Sequence, residues 1–289
     1  MNNNRNHALG FVAVVSTLAL LSGCAITREL RTIDGAVPSS TLGEIHRIAA
    51  SAEGDQLLIA AHTGVWTTTF DGTSWQAPQP SGSTEDLSEL AVLSDGTLVG
   101  IRHEDASQLL TSDDAARTWT TSQMPAGAAY SELTAGGGTL FASNAGKLQT
   151  SDDLGETWTT LGETEIGSMS ASQTDGQLLW IIGSDGLVES RDGGERFSDV
   201  PDSPQTTLVT STADESHPGS IATTGGDRRI WTREGADEPW RAKGRYVGTA
   251  RLLTYVPGDT PYLAIVDDRG LIVSPDYGYS WTALTEGTK

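Results

Sequence analysis

Five histidines occur in this chain of 289 residues, and three of them, His46, His62 and His103, fall early, at the ends or starts of short apolar runs. Imidazole is the commonest transition-metal ligand and titrates near neutrality. With Glu44 or Glu104 as a carboxylate and Arg47 as a fixed cation, the three histidines make a candidate metal or substrate site. No HxH or HExxH spacing forces them together, and in a strand a shift of one residue turns a side chain to the opposite face. Three turn histidines that never meet is therefore the competing reading. Hydrolysis of a glycoside would need two carboxylates about 5–10 Å apart. Among 38 acidic residues such a pair will arise by chance, so the carboxylates name no catalytic pair. Catalytic residues and metal ligands stay unassigned, and no cofactor is called for.

The elements that must position these residues announce themselves by repetition. Ser112-x-Asp114-x-Ala116-x-Thr118-Trp119 is followed by Ser151-x-Asp153-x-Gly155-x-Thr157-Trp158, Ser190-x-Asp192-x-Gly194-x-Arg196-Phe197 and Ser274-x-Asp276-x-Gly278-x-Ser280-Trp281. The serines step by 39, 39 and 84 residues, and the last interval is two units of 42. Thr69-x-Asp71-Gly72-Thr73-Ser74-Trp75 and Thr232-x-Glu234-x-Ala236 with Trp240 are weaker copies in the gaps, which makes six units. A period near 40 marks a propeller or solenoid whose units cannot bury their faces alone. Within each copy, Ser and Asp side chains bond nearby backbone to close a tight turn, and Gly accepts the positive φ such a turn needs. Asp114, Asp153, Asp192 and Asp276 are structural on this reading, not catalytic.

Between boxes the chain shows short continuous apolar runs such as Leu57–Ala61, Leu178–Ile182 and Tyr262–Val266, as expected of strands buried on both faces. The expected fold is all-β: a six-bladed propeller of four antiparallel strands per blade, over residues 43–289, with seven blades as the alternative. Polar hairpins such as His62-Thr63-Gly64 would then lie on the face where ligands are sought. There His46 and His62 should share the channel mouth, with His103 at its edge and Arg47 adding positive charge.

The repeated pattern resembles the Asp-box, or bacterial neuraminidase repeat, S/T-x-D-x-G-x-x-W. The resemblance implies a blade hairpin between the third and fourth strands. It also raises sialidase activity, yet the Arg-Ile-Pro motif usual before the first sialidase box is here Arg47-Ile48-Ala49. A closer resemblance is to small bacterial lipoproteins with Asp-box propellers, some carrying a glycosyl-hydrolase name. In these a His-bearing first strand, an Ala-Thr-His-x-Gly turn and a further histidine recur, matched by Glu44-Ile45-His46-Arg47, Ala60-Ala61-His62-Thr63-Gly64 and Arg102-His103-Glu104. Arg47 and Glu104 depart from the Gly and Pro often found after the first and third histidines. The chain also resembles the lipid-anchored Asp-box propellers that assist photosystem II assembly, but lacks their basic arginine patch.

Residues 1–23 read as a secretory signal: Arg5, an apolar run from Ala8 to Leu21, then small residues. Leu21-Ser22-Gly23-Cys24 resembles a bacterial lipobox, and Cys24 is the only cysteine. The resemblance implies lipidation of Cys24 and a partner in the membrane through that lipid, on the extracytoplasmic face of a bacterial envelope. Residues 24–42 read as a lipidated tether. The formal net charge of −20 opposes binding to nucleic acid. The reading is a non-catalytic binding or assembly module for a protein or glycan ligand, with a sialidase-like or other glycoside hydrolase as the alternative.

Overall fold

The computed structural model describes residues 30–286, apart from 106–107, 125–126, 214–216 and 218. Cys24 and residues 1–23, expected above to be a secretory signal, lie outside the described residues. Six antiparallel sheets follow one another along the chain, one per unit. Blade one is Ile45–Ala50, Gln56–Ala61, Gly64–Thr69 and Gln79–Pro80; blade two is Leu87–Val92, Leu98–Arg102, Gln108–Ser112 and Thr120–Gln123. Blades three to six begin with Tyr130–Gly136, Ser168–Ala171, Thr206–Ser211 and Leu252–Val256, and blade six ends with Thr282–Glu286. This is the six-bladed propeller that the period implies.

The apolar runs explain the ring. Side chains alternate across each second strand, so one strand serves two interfaces. Leu57, Ile59 and Ala61 pack with Val256, Tyr262 and Ala264 of blade six, while Leu58 and Ala60 pack with Leu87, Leu90 and Leu98 of blade two. Four further buried clusters fill the remaining junctions, so each of the six interfaces has its own core.

Residues 31–42 differ from the tether expected there. Arg31–Pro38 is a strand, paired in parallel with Thr282–Glu286 as a fifth strand outside blade six. A short helix, Ser39–Leu42, then turns the chain into blade one, and Leu42 is fully buried in the core between blades six and one. The beginning of the fold is thus fastened to its end, which closes the ring. In that strand only Ala36 is buried, so it shows no apolar periodicity.

The boxes sit at the outer turns between third and fourth strands. In the third blade, Ser151 Oγ donates to Asp153 Oδ1 at 2.8 Å and accepts the Gly155 N–H at 2.9 Å. Asp153 Oδ1 also accepts the Thr157 N–H at 2.8 Å. Ser112, Ser190 and Ser274 repeat the pattern with Ala116, Gly194 and Gly278. Gly155 has φ of +84°, and a Cβ there would lie 2.5 Å from Leu109 of the preceding blade, so glycine is favoured here on both counts, although Ala116 takes the same place in blade two at φ of +63°. Trp119 donates from Nε1 to Ser83, in the link entering its own blade, and Trp281 to the carbonyl of Arg245, the last residue of blade five, so these rings also tie the turn to neighbouring chain. Trp158 tilts against Tyr130, the first residue of its blade, and Phe197 packs in the core between blades three and four.

Candidate functional site

Glu44 and Asp86 hold the same place in blades one and two, just before the first strand. Their carbonyls accept the N–H of His62 and of His103, each at 2.8 Å, so these two histidines are also equivalent. His46 is the extra residue of a β-bulge between Ile45 and Arg47. A bulge re-aims a side chain that strict pleating would send elsewhere, and His46 and His62 both turn toward Asp86. The Asp86 carboxylate lies 2.8 Å from His62 Nδ1 through Oδ2 and 3.2 Å from His46 Nε2 through Oδ1. The His46 and His103 rings stack with centroids 4.4 Å apart and planes inclined by 19°. Three histidines of two blades therefore gather around one carboxylate at one end of the first strands. Burial, and then neighbouring His103, hold the pKa of His46 below its ordinary value.

The other candidates lie differently. Glu44 reaches Arg251 at 3.3 Å, which joins blade one to blade six. Glu104 is exposed next to His103. Arg47 does not put a free positive charge on the rim: it lies in the axial channel, where its guanidinium contacts Glu89 at 2.5 Å and Glu132 at 3.3 Å. Register makes these three residues equivalent. Arg47, Glu89 and Glu132 each pair with the penultimate residue of the second strand, and the same positions in blades four to six are Ser168, Leu208 and Leu252. One ring of the channel is thus ionic on one side and uncharged on the other.

Each first strand is an edge, and in blades three to six side chains of the preceding blade accept its N–H groups. Glu89 Oε2 accepts the Leu133 N–H at 3.1 Å, as Ser168 Oγ accepts that of Val209 at 3.2 Å. Burial pushes the Glu89 carboxyl up to about 7 and raises Glu132 as well, against the pull of Arg47 on both. Arg47 is in turn held charged by the two carboxylates in spite of its own burial. The cavity along the axis has a volume of about 220 Å³ and is lined by the six first strands, Arg47 and Glu132 among them.

Asp86, Glu89 and Glu132 were not singled out from the sequence. The signal that finds them is repeat equivalence: Asp86 stands 42 residues after Glu44, and Glu89 and Glu132 stand 42 and 85 after Arg47. Hydrophobic patterning hides them, because a polar residue at an inner edge interrupts an apolar run without changing its period.

No curated protein matches the chain by sequence. Among solved structures it is similar to the GH74 enzyme of Niastella koreensis, with 18% identity and a TM-score of 0.55, covering 82% of this chain and 37% of that one. The chain thus spans little more than a third of that enzyme. A structure described as YCF48 bound to D1 peptide is similar at 15% identity and TM-score 0.53, covering 88% of this chain and 87% of that one. A chain of the nidogen–laminin complex is similar at 11% identity and TM-score 0.59, covering 80% and 99%. At such identities the likeness is one of fold. The model of the DUF6242 β-propeller domain matches residues 120–286, more than half of the chain. With six blades in the structure and that match across blades two to six, the chain belongs to the DUF6242 β-propeller domain family.

Proposed function

We propose that this protein is a lipid-anchored, extracytoplasmic β-propeller that binds a protein or glycan ligand at the mouth formed by blades one and two and does not alter it chemically. The observation that carries this reading is the state of the axial carboxylates. An arginine and two glutamates meet in the channel, the residue types a glycosidase would use, but Glu89 and Glu132 both bond the guanidinium of Arg47. Glu89 has its second oxygen on a backbone N–H and is 5% exposed. Neither carboxylate is placed to protonate a leaving group while the other activates water. A cavity of about 220 Å³ is also below the 300 Å³ or more usual for small-molecule sites. Similar folds that occur in complexes with a peptide or with laminin support a binding role; the GH74 enzyme supports the alternative of a glycoside hydrolase.

The anchor gives the mouth a direction. Arg31 pairs with Thr282, at the box end of blade six, and Pro38 with Glu286 at the mouth end. Cys24 is seven residues before Arg31, which allows a reach of about 25 Å at full extension. A lipid on Cys24 would then keep the box end toward the bilayer and the histidine mouth away from it. The test of the non-catalytic reading is incubation of the full chain with a panel of aryl glycosides and aryl sialosides beside the Glu132→Gln variant. Equal background from both is expected; turnover that Glu132→Gln abolishes sinks the reading in favour of the hydrolase.

A further inference from the structure

We infer that His46, Asp86 and His103 form a site for one divalent transition-metal ion of zinc's class, with an open position at the channel mouth. Each residue offers one ligand atom, and the three atoms lie within 4.8 Å of one another. Zinc bonds of about 2.0–2.1 Å in a tetrahedron put neighbouring ligand atoms about 3.3 Å apart. His46 Nε2 and Asp86 Oδ1 are 3.2 Å apart.

A second observation concerns these same two atoms. Both are buried, and apart from their 3.2 Å approach to each other neither has a hydrogen-bond partner. Buried polar atoms are nearly always satisfied, and an orphan pair facing each other calls for a missing partner. A cation between an imidazole nitrogen and a carboxylate oxygen satisfies both at once. The other carboxylate oxygen is already held by His62 Nδ1 at 2.8 Å, the kind of outer hydrogen bond that fixes the orientation of a metal-binding carboxylate. Two imidazoles and one carboxylate suit zinc and its neighbours better than magnesium or calcium, which take oxygen ligands.

The stacked rings demand one movement. Lone pairs of near-parallel imidazoles cannot both point at one ion, so His103 must tilt out of the stack to ligate. It is exposed at the end of its strand, on the open side of the cluster, whereas His46 and Asp86 are partly buried and Asp86 is held by His62. The site does not rest on the binding role proposed above: an ion can be held whether or not a partner is captured.

The test uses the full chain in detergent, stripped with chelator and titrated with Zn2+, and with Co2+ for its visible absorption. One ion per chain is expected, with a cobalt spectrum of nitrogen and oxygen ligation. His46→Ala and Asp86→Asn should each weaken binding at least a hundredfold. His62→Ala, which acts through Asp86, should weaken it by about tenfold to a hundredfold. His217→Ala, in blade five, should leave it unchanged. His103→Ala alters only an exposed residue, so the fold should survive and its loss of at least tenfold remains readable if a buried variant unfolds. No ion retained by the wild-type chain, or equal affinity in wild type and His103→Ala, overturns the assignment.

Discussion

The outer turns and the inner mouth are built by the same six repeats, but they obey opposite rules. At the box turns, four blades use one set of bonds: Ser112, Ser151, Ser190 and Ser274 each accept a buried N–H and donate to an aspartate. At the inner ring the equivalent positions hold Arg, Glu, Glu, Ser, Leu and Leu, and the histidines gather in two blades only. Every blade needs its outer turn closed, so that chemistry repeats. Charge placed in one part of the ring and absent from the rest is not required by the repeat. Loss of repetition, more than the motif itself, marks where this molecule has something particular to do.

The inner ring should break hardest. Arg47→Leu leaves buried Glu89 and partly buried Glu132 without their cation, a change that costs about 3–5 kcal/mol where a buried pair loses one partner. The shortfall, read as a lower urea midpoint than wild type, should shrink below about pH 4.3, where glutamates are protonated in the unfolded chain as well. A loss that is the same at pH 4 and pH 7 would show that the carboxylates are not its cause.

Within the outer turns, Ser151→Ala orphans the buried Gly155 N–H and should cost about 1–3 kcal/mol. Thr232 occupies the matching place in blade five, but its buried Oγ1 has no hydrogen-bond partner. Thr232→Val, which keeps the shape and removes the hydroxyl, should cost nothing or stabilise. Equal losses from the two variants would contradict the view that the box hydroxyl acts by accepting that N–H.

The smallest effects separate the regions by the sign of their pH dependence. Hydrogen bonds from Thr118 draw Asp114 down to about 2, and those from Thr157 lower Asp153. Their folded values lie below the unfolded one, so their stabilisation is complete above about pH 4 and is lost as pH falls toward 2. Burial raises Glu89 to about 7, so its contribution is present below about pH 4.3 and is lost as pH rises through neutrality. Asp153→Asn should flatten the acid limb of the stability profile, and Glu89→Gln the neutral limb; exchanged effects would refute the division.

Much of the fold was legible because each part of it carried a local signal. The 39- to 43-residue period, the box turns and the apolar second strands all follow from residues close in sequence. Arg31–Pro38 was not legible as a strand, since it lies outside blade six, buries one side chain and takes its pairing from residues 248 to 251 positions away. His46, His62 and His103 were legible as candidates, and the bulge that turns His46 toward Asp86 was not. A bulge leaves no mark in composition, and Asp86 sits in a polar link like any other.

Site-specific photo-crosslinking in intact native envelopes tests the central claim most directly. One probe replaces Glu104, exposed beside the histidines at the mouth; the other replaces Tyr279, exposed in the box turn of blade six. The mouth probe is expected to yield discrete protein or glycan adducts, and the box-end probe to label lipid. Lipid labelling from position 104, or discrete envelope adducts from position 279 alone, would contradict a mouth that binds its ligand facing away from the membrane.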